Sequence, residues 1–110
     1  MQDAIEAIAE PHRREILRLV RDDELAAGAI AAHFPDVSRP AISQHLRVLR
    51  QAALVSERRD GTRRLYRARP EGLGGLRDFL EAFWDERLET LRQQAEREER
   101  KKRHDRGRRN

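Results

Sequence analysis

In Val37-Ser38-Arg39-Pro40-Ala41-Ile42-Ser43-Gln44-His45-Leu46-Arg47-Val48-Leu49-Arg50 a helix declares both its start and its buried face. Ser38 is a good N-cap, because its hydroxyl accepts a hydrogen bond from a first-turn N–H that has no partner within the helix. Pro40 gives up a donor that had no acceptor anyway, so here it starts a helix and does not break one. Val37 and Ile42 occupy the two positions of a hydrophobic staple across the cap. Ile42, Leu46, Leu49 and Ala53 then follow the i, i+4, i+7, i+11 spacing of a stripe turned to a core. Pro40, Ser43, Gln44, Arg47 and Gln51 are left on the opposite face. Hydroxyl, amide and guanidinium groups on one exposed face match base edges and phosphates, and they also suit an ordinary solvated helix face.

The next segment favours the nucleic-acid reading. Residues 54–59 and 62–69 are short runs around Asp60-Gly61, a dipeptide suited to a two-residue turn with positive φ, which predicts a β-hairpin. It carries Arg58, Arg59, Arg63, Arg64, Arg67 and Arg69, with Thr62 beside the turn. Arginines gathered at a hairpin cannot neutralise one another and call for a polyanion, such as the phosphates beside a groove filled by a helix.

The net charge of +4 is unevenly distributed. Residues 1–37 carry −4, residues 38–69 carry +7, residues 70–99 carry −5 and residues 100–110 carry +6. Positive charge is thus confined to the helix–hairpin segment and the end of the chain, as expected of a polyanion binder. With 110 residues, 37% hydrophobic and 40% charged, one domain with a modest core is expected, its apolar surface completed in part by a partner subunit. No cysteine is present, which excludes disulfides, thiolate metal sites and thiol redox sensing. No apolar run reaches membrane-span length and no signal peptide opens the chain, so a soluble, cytoplasmic protein is expected. Paired carboxylates, a nucleophile constellation, a phosphate-binding glycine loop and a metal cluster are all missing at recognisable spacing, which argues against an enzyme.

Around this centre, residues 3–9 predict a short first helix with Ile5 and Ile8 inward. Pro11 opens a second helix with Ile16, Leu17 and Val20 as its stripe, ending near residues 21–23. Residues 25–34 predict a small third helix carrying Ile30 and Phe34, broken by Pro35-Asp36. From Glu71 the chain reads as one long helix despite Gly72, Gly74 and Gly75. Leu73, Leu76, Leu80, Phe83, Trp84, Leu88 and Leu91 form a continuous apolar stripe that Phe79 widens. That is more apolar surface than so small a domain needs for itself, and it reads as a dimer interface in preference to an intramolecular seam. The organisation expected is one domain over 1–97 and a basic, disordered tail over 98–110.

The order of elements and three stretches resemble the ArsR/SmtB family of winged-helix transcriptional repressors. Ala9-Glu10-Pro11-His12-Arg13-Arg14-Glu15-Ile16-Leu17 is similar to its A-D-P-x-R-x-x-I-L opening, and residues 37–50 to its V-S-Q-x-x-V-S-x-H-L-x-x-L-R recognition helix. Leu54-Val55 with the arginine hairpin completes the match. The resemblance implies a mainly α fold with a small β-hairpin wing, a homodimer paired through its first and last helices, and an inverted-repeat operator as target. It places Ser38, Arg39, Ser43 and His45 on DNA, with Arg59, Arg63 and Arg64 on backbone or minor groove. Arg39 departs from the usual Gln. His45 lies beside the apolar stripe, so a packing or phosphate-contact role competes with base readout. Arg13 and Arg14, on an acidic segment, are read as structural ion pairs.

Many relatives hold a metal through Cys-x-Cys in the third helix, where this chain has Ala26 and Gly28. Others use carboxylate and histidine pairs on the last helix, where Asp78 is followed by Leu80, and Leu91 and Gln94 fill the later places. With His12, His33, His45 and His104 dispersed along the chain, no usual ligand spacing survives, and neither a metal nor another cofactor is expected. The expected function is therefore a homodimeric, metal-independent repressor that binds double-stranded DNA in a sequence-specific way. The alternative is a non-sequence-specific RNA-binding or nucleoid-associated protein using the same basic faces. One Tyr in the hairpin provides no stacking platform for that.

Overall fold

The computed structural model describes the backbone of residues 1–109 and the side-chain surroundings of residues 1–103. The chain forms two compact units, Met1–Leu76 and Arg77 onward. The first contains α1 (Gln2–Ile8), α2 (Pro11–Leu19), β1 (Leu25–Ala26), α3 (Ala27–Ala32), α4 (Arg39–Gln51), β2 (Val55–Asp60), β3 (Arg63–Ala68) and a 3₁₀ turn over Pro70–Leu73. This is a mainly helical winged helix-turn-helix. Among the described residues, no helix is long and apolar enough to cross a membrane.

Two caps set the helices that matter most. The Glu10 carboxylate accepts from the Arg13 N–H at 3.0 Å, with Pro11 in the first turn of α2. The Ser38 hydroxyl accepts from the Ala41 N–H at 3.2 Å, with Pro40 in the first turn of α4, as its sequence predicts. α1 ends differently from the expectation of ion pairs at Arg13 and Arg14. Arg13 donates through Nε to the Ala7 carbonyl at 2.6 Å and through its terminal nitrogen to the Glu6 carbonyl at 3.1 Å. Arg14 donates to the Ile8 and Ala9 carbonyls. These guanidiniums cap the carbonyl end of α1, adding to the Ala9 N–H that already donates to Glu6.

Ile16 from α2 and Val20 at its C-cap, Ile30 from α3, Ile42, Leu46 and Leu49 from α4, and Leu54, Val55 and Tyr66 form one core. Ile16, Val20, Ile30 and Leu49 are wholly excluded from solvent, each burial contributing about 1.5–3 kcal/mol. In α1 the inward residues are Ala4 and Ala7, while Ile5 is exposed and Ile8 only borders the core. The short helix sits close to its neighbours through small side chains, which turns the expected inner pair outward.

Ala53 is not part of the α4 stripe. It adopts φ 59° just beyond the helix, where its N–H donates to the Arg50 carbonyl and the Leu54 N–H to the Leu49 carbonyl. That pattern is a Schellman closure with alanine where glycine is the usual residue.

The sheet order is β1-β3-β2, antiparallel throughout. Residues 25 and 26, expected at the start of the third helix, instead form β1 and pair with Tyr66 and Leu65. An open edge of β3 supplies hydrogen bonds there, outweighing the helix preference of an Ala-rich run, and α3 begins only at Ala27. In the hairpin Asp60 pairs with Arg63, so the turn residues are Gly61-Thr62 and not Asp60-Gly61. Gly61 takes φ 63° at the first turn position, where a tight hairpin tolerates glycine best.

α5 (Gly74–Arg109) begins after the 3₁₀ turn and not at Glu71. The helix continues past residue 98 and runs to Arg109. Ion pairs at helical spacing, Arg92 with Glu89 and Glu96 and Arg103 with Glu99, accompany it beyond its last leucine. Phe79, Leu80, Phe83, Trp84, Leu88 and Leu91 all lie exposed along it, with the Phe79 and Phe83 rings stacked at 6.5 Å. Leu76, grouped with them in the sequence reading, is half-buried.

Candidate nucleic-acid interface

Because Ile42, Leu46 and Leu49 are buried, α4 is fixed in rotation about its own axis. Ser38, Arg39, Pro40, Ser43, Gln44 and Arg47 are consequently exposed together. Arg47 donates to the Gln44 side-chain oxygen at 3.1 Å, so two of the expected readers form one unit. Between α4 and the hairpin lies a cleft of about 250 Å³, lined by Ser43, Arg47, Arg50, Glu57, Arg64 and Tyr66 among others.

Glu57 on β2 occupies the junction of helix and wing. Its carboxylate pairs with Arg50 on one oxygen and lies 3.5 Å from the Arg64 Nε on the other. The hairpin arginines cannot neutralise one another, but most of them have a carboxylate partner. Arg63 bonds Asp60 at 3.2 Å, and Arg69 bonds Glu71 at 3.3 Å. Arg58 grips Glu24 with two donors, and this hydrogen bond holds the Glu24 carboxyl below its usual range. Arg59 and Thr62 are exposed at the tip.

His45 belongs to a different cluster. Its ring is largely covered and stacks on His12, with centroids 5.6 Å apart and planes 15° apart. Its Nε2 lies 3.9 Å from a Glu10 oxygen, and its Nδ1 lies 3.4 Å from an Arg13 nitrogen. Burial lowers the His45 pKa; the Glu10 charge opposes this, and the positive charges of Arg13 and His12 reinforce it. Burial pushes Glu10 upward, but hydrogen bonds from His12 and the Arg13 N–H, with the His12 and His45 charges, together outweigh it and lower its pKa. Dispersed in sequence, His12 and His45 are neighbours in space. The available signal was helix phase, since His45 precedes the buried Leu46 and Glu10-Pro11 opens the helix that packs behind α4.

The positions that hold metal in many ArsR/SmtB relatives do not fit one here. Ala26 ends β1 and Gly28 lies in α3, and neither side chain has a donor atom. On α5, Leu80 and Leu91 are equally without ligand atoms.

With this geometry in view, the comparisons with known proteins agree. Residues 8–58 match a family described as a helix-turn-helix domain. The HTH-type transcriptional regulator Rv2034 of Mycobacterium tuberculosis is 47% identical over 85 residues, covering 77% of this chain and 78% of that protein. The chain belongs to the ArsR family of winged helix-turn-helix transcriptional regulators. The transcriptional repressor SdpR of Bacillus subtilis is 44% identical over 61 residues, covering 56% of this chain and 67% of that one. An ArsR-like transcriptional regulator from Rhodococcus sp. RHA1 superimposes with a TM-score of 0.70 at 34% identity, covering 86% of this chain and 89% of that structure. This ArsR-family chain is a DNA-binding regulator and not an enzyme.

Proposed function

We propose that the protein is a homodimeric transcriptional repressor that reads an inverted-repeat operator. The observation that carries this reading is the exposed face of α4, where Arg39, Ser43, Gln44 and Arg47 stand together while the opposite face is locked into the core. Arg is suited to guanine and Gln to adenine in the major groove, with Ser38 and Pro40 lying against the backbone at the helix start. Arg59, Thr62, Arg63 and Arg64 grip phosphate from the wing. Arg58, tied to Glu24, anchors the hairpin to the residue before β1. His45 packs behind the reading face.

A second copy of the chain covers the apolar face of α5 around Phe83 and Trp84, with Ile5 and Ile8 of α1 contributing. The pairing sets two α4 helices about 34–36 Å apart, one turn of duplex, so the operator shares the dimer's two-fold symmetry. The similarity to a named repressor supports repression as the outcome. The response does not run through metal at residues 26 and 28 or on α5.

Selection of bound fragments from a genomic library by the purified protein, at near-physiological salt, tests this. A recovered palindrome is expected. Equal affinity for selected and random duplexes would refute sequence-specific operator binding.

A further inference from the structure

We propose that Glu10, His12 and His45 form a binding site for a divalent transition-metal ion of the zinc, cobalt or nickel type, pinning α2 to α4. The cluster brings one carboxylate and two imidazoles together from the first turn of α2 and the middle of α4. One ligating atom of each residue lies within 4.8 Å of the others. Bonds of about 2.0–2.1 Å in a tetrahedral site put ligand atoms roughly 3.3–3.4 Å apart, so closing the site is a matter of side-chain rotation. His12 is the ligand placed to make that adjustment, because its side chain is 45% exposed and its one hydrogen bond, to Glu10, is to a fellow ligand, while its ring rests on His45 and Phe34.

The electrostatic state suits a cation. A metal takes Glu10 as the carboxylate and both histidines as neutral imidazoles, so binding is expected to weaken as pH falls. Arg13 sits on the Nδ1 side of His45, which leaves Nε2 turned to Glu10. An ion on Nε2 puts the ring proton on Nδ1, and one long contact to Arg13 is lost. The guanidinium stays in place through the Ala7 and Glu6 carbonyls, and its charge opposes the cation. Two imidazoles favour a borderline ion over magnesium or calcium, and three protein ligands leave a fourth position for water.

The test is calorimetric titration of the full chain with Zn²⁺, repeated with Co²⁺ while following its visible absorption, and with Mg²⁺ as the hard-cation control. One ion per chain is expected, with a cobalt spectrum of nitrogen–oxygen tetrahedral type and no magnesium binding. His12→Ala, on an exposed ring, weakens zinc at least tenfold while leaving the circular dichroism spectrum unchanged. Glu10→Gln, which keeps an oxygen to cap α2, does the same. His33→Ala binds as the parent does. The assignment falls if no saturable zinc binding occurs, or if His12→Ala and Glu10→Gln bind zinc as tightly as the parent.

Discussion

Gly72 passes so close to Ala53 that a Cβ on Gly72 would stand 2.2 Å from the Ala53 carbonyl oxygen. That oxygen belongs to the residue holding φ 59° where α4 closes. A glycine that weakens a helix on paper is therefore the only residue that fits a close backbone approach. Gly72→Ala is expected to cost about 1–3 kcal/mol, because backbone and not a flexible side chain must yield. Ala53→Gly is expected to stabilise by about 1 kcal/mol, since only glycine takes the left-handed region freely. Denaturant melts of both variants check the opposite signs.

Glu57 holds Arg50 and Arg64 with one carboxylate at the edge of the reading face. Glu57→Gln removes a negative charge from the DNA side and releases two guanidiniums. Affinity for random duplex is expected to rise, and the salt dependence to steepen by about one to two units of log–log slope. Fluorescence anisotropy across a salt series measures both.

The hydrogen bond between Arg47 and Gln44 makes their contributions interdependent. Gln44→Ala and Arg47→Ala should each relax operator preference by about 1–3 kcal/mol, and the double variant should lose less than the sum. Arg63→Ala should weaken all duplexes alike. Binding assays on the selected operator and on single-base variants of it separate the two behaviours.

Glu24 is held below its usual pKa first by its hydrogen bond from Arg58. A carboxylate with a depressed folded-state pKa adds stability above the unfolded value, lost as pH falls through the folded one. Glu24→Gln should therefore melt below the parent at neutral pH, and the two should converge below pH 4.5, the ordinary value for the group. Melting temperatures across that range show whether the gap closes.

Leu80 and Trp84 lie exposed one helical turn apart on α5. Leu80→Arg places a charge in the proposed subunit contact and is expected to yield monomers with weaker operator binding and an unchanged fold. Sedimentation velocity and circular dichroism report the two properties separately.

Much of the reading unit was legible beforehand. Ser38, Pro40 and the spacing of Ile42, Leu46 and Leu49 specify where α4 starts and which face it buries, through interactions that span four residues or fewer. Asp60-Gly61 announced a hairpin, though the register moved the turn one residue onward. The arginines could be counted in the sequence, but their partners could not. Glu24 lies 34 residues from Arg58, and no local pattern links them.

Sequence alone specified the Ser38 cap, the buried stripe of α4 and with it the exposed face, and the family, because each is written in short-range periodicity or a contiguous motif. The tertiary structure decided β1, the neutralisation of the wing by Glu24 and Glu57, the close passage of Gly72, and the meeting of Glu10, His12 and His45. Those features depend on distances between segments far apart in the chain, which exist only once the core fixes how helices and strands sit against one another.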